Sequence, residues 1–391
     1  MIVKTANRIH TVKEYFFSKK LREIAAMRAA GKAILNLGIG SPDLPPAPQV
    51  IHQLQTASAQ PDHHAYQSYA GIPELRQAFA HWYQKRFGVS LNAKSEILPL
   101  IGSKEGIMHI AMTFLEKGDE VLIPNPGYPA YRATANLAGA SIRSYELNQG
   151  NAWLPDLAAL EKTDLSKVKI MWVNYPHMPT GTSANYQWFE KLVAFAHRHQ
   201  ILLCNDNPYS FILNEQALSL LAVDGAKEVA LELNSLSKSH NMAGWRIGVL
   251  AGHTDYLCEV IKFKSNMDSG MFRPLQLAAV EALNLPDTWY QQQNAIYRKR
   301  QAKAFDLMRL LDCQFDPNQI GMFVWARIPQ TYKDGFAMSD DLLHRTGVFI
   351  TPGGIFGTAG EAYIRISLCN SVEQLELAMQ WIRNAKILIR A

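Results

Sequence analysis

Lys238 lies in the run SLSKSHNMAGWRIG, residues 235–248, flanked by Ser235 and Ser237 and followed by Arg246. A lysine amine condenses with an aldehyde to a Schiff base, and the amine released from it can carry a proton. An aldehyde carrier with a phosphate tail needs an anion cradle beside that lysine. Serine hydroxyls donate hydrogen bonds to phosphate oxygens, and a guanidinium binds them bidentately. Ser235, Ser237 and Arg246 are the residue types for such a cradle. Taken alone, a lysine among serines fits a solvated surface turn better, so the reading depends on the rest of the chain.

Other runs carry the remaining parts. Gly102-Ser103-Lys104 follows the β-like run EILPLI and opens a helix. Backbone N–H groups at that helix start, with the Ser103 hydroxyl, suit a phosphate; the plain alternative is a capped strand-to-helix turn. Asp206 closes the strand ILLCND, and Tyr209 follows in the next loop. A buried carboxylate there can hold a ring nitrogen protonated, and the phenol can donate to a ring oxygen. Tyr128, in NPGYPAY, follows a strand end and can stack on an aromatic ring, or simply pack in the core. Arg365 sits between isoleucines in AYIRISL. If buried, it needs an anion, either a substrate carboxylate or a structural salt-bridge partner. Together these residues meet the needs of pyridoxal phosphate (PLP). Those are a Schiff-base lysine, a phosphate cradle, an acid at the pyridine nitrogen, a donor to O3′, an aromatic plate and a cation for the substrate carboxylate. The cofactor supplies the electron sink; the protein orients and tunes it.

The elements that must position these residues alternate between strand and helix. EVLIP (120–124), SIRSYEL (141–147), KIMWVNY (169–175), ILLCND (201–206) and VALELNS (229–235) read as strands. Several are continuous aliphatic runs, as expected where both faces of a sheet are covered. Between them, helices are expected over 73–87, opened by Pro73 and stopped by Gly88, over 104–117, and over 186–199. His197 and His199 fall in the last turn of that third helix, where they suit the negative end of its dipole better than a metal. The alternation predicts an α/β fold with a mostly parallel sheet, whose ligands bind outside the carboxyl ends of the strands. The C-terminal third differs: strands at 322–328, 347–351 and 362–368 surround the Gly-rich turn TPGGIFG, and a last helix opens at Ser371 with Gln374 in a capping box. This predicts a large domain over 48–285 and a small α+β domain over 286–391, joined by the N-terminal segment 1–47.

Composition excludes several classes. The 391 residues are 48% apolar and 19% charged, an ordinary globular balance with ample core. The net charge of +5 is scattered, so no nucleic-acid footprint is expected. No run reaches the roughly 18–20 apolar residues of a membrane helix, and the start lacks a secretory h-region. Cys204, Cys258, Cys313 and Cys369 are far apart. They read as free, mostly buried thiols in a reducing, cytoplasmic setting, and none has zinc-ligand spacing, so no metal is expected.

In order and spacing, from about residue 30 to 385, these runs resemble the class I aminotransferases, PLP-dependent enzymes of fold type I. LNLGIGSPDLPP (35–46) resembles the family's substrate loop, which puts Gly40 near the substrate carboxylate. YQSYAGIPELR resembles the segment whose tyrosine, here Tyr66, reaches the phosphate of the neighbouring subunit. The turn Gly102–Lys104 is similar to the phosphate loop, Tyr128 to the stacking aromatic, and Asp206 and Tyr209 to the partners of the pyridine nitrogen and O3′. Ser235, Ser237, Lys238 and Arg246 match the lysine segment, and Arg365 the carboxylate-binding arginine. The resemblance implies a central seven-stranded sheet, a small domain and a homodimer with shared active sites. It also implies ping-pong transfer of an amino group from an L-amino acid to a 2-oxo acid, with Lys238 as Schiff base and proton shuttle.

One departure stands out. Pro179-Thr180-Gly181 resembles the family's Asn-Pro-Thr-Gly signature, but Met178 occupies the place of the asparagine that donates to O3′ and to the substrate carboxylate. Methionine cannot donate. Either Asn174 or His177 substitutes, or Tyr209 holds O3′ alone, and the imine nitrogen of Lys238 is expected to have a higher pKa than in Asn-bearing relatives. For the substrate, YFF (15–17), with Tyr15 in the pocket, resembles LL-diaminopimelate aminotransferases, as do the Ser-Lys turn and NYP. Ser269 stands where those enzymes commonly carry asparagine. Arg273 could meet a distal carboxylate or be a surface arginine. The expected donor is an acidic or otherwise polar amino acid, of the aspartate or diaminopimelate type, with 2-oxoglutarate as acceptor; methionine and aromatic donors stay open. Two alternatives are a carbon–sulfur lyase on the same scaffold and a PLP-sensing regulator, for which no DNA-binding module is in view.

Overall fold

The computed structural model describes residues 2–385. Seven strands form the central sheet, in the spatial order Ile97–Leu100, Gly248–Gly252, Ala230–Ser235, Leu202–Asp206, Val168–Val173, Glu120–Asn125 and Ser141–Glu146. Gly248–Gly252 runs antiparallel to both neighbours, and all the other pairs are parallel. Both faces are covered. Met171 and Val173 join the core on one side, while Ile170 and Trp172 join the core on the other. This alternation explains why the strands read as unbroken apolar runs.

The helices Pro73–Phe87 and Tyr186–His199 fall where the periodicity places them. The first ends on Gly88 in the left-handed region (φ 70°). The second opens with the Asn185 side chain accepting from the Trp188 N–H. The phosphate-turn helix is Ser103–Phe114, shorter than 104–117, because Leu115 turns to extended backbone. Several helices lie where no element was expected, among them Phe16–Ala29, Pro48–Ser58, Pro129–Ala138, Thr254–Lys264, Arg273–Leu283 and Asp287–Leu310.

A second, antiparallel sheet runs Thr351–Pro352, Tyr363–Ser367, Phe323–Arg327, Gln314–Phe315. The run 347–351, expected as one strand, is divided. Val348–Phe349 pairs instead with Leu35–Asn36, parallel, so the N-terminal segment joins the C-terminal layer. Arg300 reinforces the join with a bidentate pair to Asp43, at 2.7 and 2.8 Å. A third core, from Tyr297 to Ile382, packs here with Leu37 and Met178. The capping box of Ser371 and Gln374 opens the last helix, Val372–Asn384. Cys204, Cys313 and Cys369 are buried free thiols, and Cys258 is exposed.

Candidate active site

The carboxyl ends of the parallel strands open into a cavity of about 450 Å³. Asp206 is the last residue of its strand, and Ser235 closes the next. Tyr15, Gly40, Ser103, Lys104, Tyr128, Asn174, Met178, Tyr209, Ser237, Lys238, Arg246 and Arg365 line the same cavity. Two expected residues do not. Gly102 lies just behind the lining, and Tyr66 is 91% exposed on the surface. Arg273 also lies elsewhere, paired with Glu74 at 3.3 Å.

Lys238 extends from a short helix, Leu236–Ser239, opened by the Ser235 hydroxyl, which accepts from the Ser237 N–H at 3.1 Å. Its Nζ donates to the carbonyl of Gly40 at 2.5 Å. Burial lowers the pKa of this amine, and the Arg365 and Arg246 charges add to that, while Cys369 and Asp206 oppose it. Gly40 has no room for a side chain: a Cβ there would lie 2.4 Å from Cζ of Phe323. The substrate loop can press against the small sheet only because this residue is glycine.

Ser103 starts a 12-residue helix, so its first N–H groups face the cavity with no partner in the helix. Arg246 reaches over this turn. A Cβ on Gly102, whose φ is 82°, would lie 2.1 Å from Arg246 Nη2. The guanidinium also donates to the Ser237 hydroxyl at 3.4 Å and to the Ala243 carbonyl at 3.0 Å. Hydroxyls, a helix start and a guanidinium with no carboxylate partner among the described residues together make an anion cradle.

Asp206 is buried, and its Oδ2 accepts from the Tyr131 hydroxyl at 3.0 Å. Its Oδ1 is buried without a partner. Burial pushes the carboxyl up to about 6, against the pull of Tyr131 and of Lys238. An unpaired buried carboxylate oxygen is costly unless a cationic group fills the space before it. Tyr131 stacks on Trp172, with ring centroids 4.8 Å apart, which fixes its phenol. Sequence reasoning passed over Tyr131, although it sits in the same NPGYPAY run as Tyr128. Burial raises the pKa values of Tyr128 and Tyr209, so both phenols stay protonated donors.

Arg365 is buried, and no carboxylate pairs with it among the described residues. Its Nη2 donates to the Gly38 carbonyl at 3.0 Å and its Nη1 to the Met178 sulfur at 3.1 Å; Nε has no partner. The guanidinium lies 3.8 Å from the centroid of the Phe323 ring and 4.7 Å from that of Phe356. Burial lowers its pKa to about 10, so it stays charged near neutrality. The structural salt bridge is therefore not its role; the geometry leaves a free cation facing the cavity. Phe323 and Phe356 were not singled out from sequence, though Phe323 lies two residues along its strand from Trp325, which pairs with Arg365.

The two proposed stand-ins at position 178 divide. His177 does not line the cavity: it is buried, bonded to the Thr180 hydroxyl at 2.8 Å, and burial lowers its pKa to about 3. Asn174 does line it, but its carbonyl accepts from the Met178 N–H at 2.8 Å and its amide donates to the Asp206 carbonyl. Tyr209 has neither constraint.

The family model for aminotransferase class I and II matches residues 32–382. The chain belongs to the class I and II aminotransferases. It is 43% identical to an LL-diaminopimelate aminotransferase of Dehalococcoides mccartyi, over 96% of this chain and 97% of the relative. An LL-diaminopimelate aminotransferase of Nitratidesulfovibrio vulgaris is 37% identical, over 97% and 99%. Among solved structures, apo-BacF from Bacillus subtilis superposes with a TM-score of 0.94 at 34% identity, covering both chains fully (100%). A probable N-succinyldiaminopimelate aminotransferase from Thermus thermophilus gives a TM-score of 0.88 at 32% identity, over 94% and 99%. The fold is thus that of PLP-dependent transferases of fold type I, and this aminotransferase depends on PLP. The unpaired Asp206 oxygen fits that cofactor's ring nitrogen, and the cavity wall of Ser103, Ser235, Ser237 and Arg246 fits its phosphate.

Proposed function

We propose that this aminotransferase takes an L-amino acid with a polar distal group, of the LL-diaminopimelate type, as donor and 2-oxoglutarate as acceptor. The observation that carries the carboxylate assignment is Arg365, a buried cation whose contacts are a carbonyl, a thioether and aromatic rings. Both donor and acceptor bring the α-carboxylate it lacks. The names of the relatives support the diaminopimelate-type donor.

When bound, PLP supplies the electron sink for charge developing at the substrate α-carbon. The protein's own groups do the rest. The Ser103 turn, Ser235, Ser237 and Arg246 hold the phosphate. Asp206 holds the ring nitrogen protonated, and the positive charge it meets there relieves the cost of its burial. Tyr209 donates to O3′ and Tyr128 covers the ring. Arg365 orients the substrate so that its α-hydrogen points at Lys238. The lowered pKa of the Lys238 amine leaves more of it neutral, and Nζ can then take the α-proton and return it on the other side of the reaction. Tyr15, Gly40, Asn174 and Met178 shape the substrate side.

Tyr66 belongs to the same proposal. Its exposure suits a side chain that completes the phosphate site of a second copy in a homodimer. We divide the chain into a cofactor-binding domain over 48–285 and a small domain over 286–391, with 1–47 added to the small one. Four free cysteines suit a cytoplasmic location; among the described residues no helix is long and apolar enough to cross a membrane. The test is a panel of donors with 2-oxoglutarate, followed by glutamate formation. LL-diaminopimelate should give the highest kcat/KM. A clear preference for an apolar or aromatic donor would overturn the substrate assignment.

A further inference from the structure

A charged cluster, half-buried at Glu105 and Asp268 and buried at His109 and Lys264, stands directly behind the phosphate turn. Glu105 Oε2 accepts from the backbone N–H of Ile101 at 2.5 Å, across the Gly102–Ser103 turn, and its Oε1 meets His109 Nε2 at 2.7 Å. Glu105, His109 and Asp268 place their polar atoms within 4.8 Å of one another. Into this group comes Lys264, whose side chain is 1% exposed. Its Nζ donates to both oxygens of Asp268, each at 2.8 Å. Asp268 Oδ1 also accepts from the Gly270 N–H at 2.9 Å. The Phe263 ring packs edge-on against His109, 5.5 Å between centroids. None of these residues lines the active-site cavity.

Two carboxylates and an imidazole this close have the donor set of a small cation site. Here the cation is tethered to the chain. We propose that Lys264 is a positioning residue for the cofactor cradle: its ammonium offsets the charge of Asp268, the carboxylate beside Glu105, so that Glu105 can keep its hold on the Ile101 N–H and with it the Gly102–Ser103 turn. Removing the ammonium leaves Asp268 without its ion-pair partner beside Glu105, with His109 the one group of the cluster still bonded to a carboxylate. The two carboxylates then move apart, and Glu105 releases the turn. The cluster touches no reacting atom, so it acts through the cradle alone. The inference rests on the assignment of that turn to the phosphate.

The experiment measures how readily inorganic phosphate displaces the cofactor from holoenzyme, followed by absorbance after dialysis. Arg246→Gln serves as the marker of the cradle itself. Lys264→Ala should lose cofactor at phosphate concentrations at least about tenfold lower than wild type. Propylammonium chloride, which restores a cation in the vacated space, should recover most of that loss, and sodium chloride of equal ionic strength should not. The double variant Lys264→Met with Asp268→Asn removes both charges while keeping volume, and should retain cofactor like wild type. It also decides the matter if Lys264→Ala does not fold. If the double variant loses cofactor as Arg246→Gln does, or if Lys264→Ala retains it while Arg246→Gln does not, the role of Lys264 is refuted and the cradle stands. If Arg246→Gln also retains cofactor, the phosphate assignment itself falls, and the proposal with it.

Discussion

Met178→Asn is the perturbation that most sharply probes how this site is tuned. Met178 lies against Arg365, its sulfur accepting from Nη1 at 3.1 Å, and offers no donor to the cavity. His177 is outside the cavity, and Asn174 is engaged with backbone at both ends of its amide. Tyr209, which has no competing partner among the described residues, is thus the leading donor for O3′, ahead of the one amide N–H that Asn174 keeps. An asparagine at 178 adds a second donor, to an oxygen that is anionic when the linkage between Lys238 and the cofactor is formed. A hydrogen bond to a charged group contributes about 1.5–3 kcal/mol. At about 1.36 kcal/mol for each pKa unit, that amounts to a shift of about 1–2 units. The sign follows from which form is helped. Stabilising the oxygen anion favours the deprotonated linkage nitrogen, so its pKa should fall in the variant, and the protonated form should vanish at lower pH than in wild type. The assay is a spectrophotometric pH titration of holoenzyme, in which the two linkage forms absorb differently. An unchanged or raised pKa in Met178→Asn would refute the reasoning and point to another donor already serving O3′.

Three other outcomes follow from the same geometry. Asp206 has its carboxyl raised from 3.8 to about 6 by burial, so the cofactor-free fold prefers it protonated; the resulting penalty is absent below about pH 4 and complete above about pH 6. Asp206→Asn removes it, and in cofactor-free protein the variant should gain about 3 kcal/mol relative to wild type across that window, read by denaturant melts at several pH values; a pH-independent difference would contradict the burial argument. Arg365→Met should raise KM for donor and acceptor alike by about a hundredfold, with kcat affected less, since both substrates lose the same charged hydrogen bonds; a change confined to one substrate would reject the shared role. Gly40→Ala places a Cβ 2.4 Å from Phe323, under the Arg365 guanidinium, and should destabilise the fold by about 1–3 kcal/mol in thermal or chemical melts; a neutral effect would mean the loop has slack.

Much of the site was legible because its chemistry needs distinctive residue types in fixed places. A strand ending in Asp206 and a lysine among serines cannot be replaced by bulk hydrophobicity, and their order along the chain is that of the cofactor's needs. The parallel strands were legible because burial on both faces leaves no polar alternation, as Ile170 to Val173 show. The antiparallel strand Gly248–Gly252 was not, since GVLAG is short and made of small residues. The helix Asp287–Leu310 carries three consecutive glutamines and a run of basic residues, and its buried stripe of Tyr290, Tyr297, Ala304, Leu307 and Met308 includes Arg300, so it reads as polar until the stripe is traced. The Lys264–Asp268 and Glu105–His109 pairs each stand at i,i+4, a spacing visible in the sequence but shared by countless surface pairs. Only the fold brings the two together. Tyr131 and Phe323 went unnoticed because supporting aromatics look like any core residue until their partners are placed.

The most direct test of the central claim is a single half-reaction. Holoenzyme of wild type and of Lys238→Ala is mixed with one amino acid at a time, without any 2-oxo acid, and the cofactor absorbance is followed. Wild type should convert fully to the pyridoxamine form with LL-diaminopimelate and with glutamate, releasing one equivalent of keto acid per site. Lys238→Ala should hold some cofactor through the phosphate cradle yet convert at least about 10²–10⁴-fold more slowly. Conversion at the wild-type rate in Lys238→Ala, or repeated release of pyruvate and ammonia from cystathionine without a 2-oxo acid, would contradict the account.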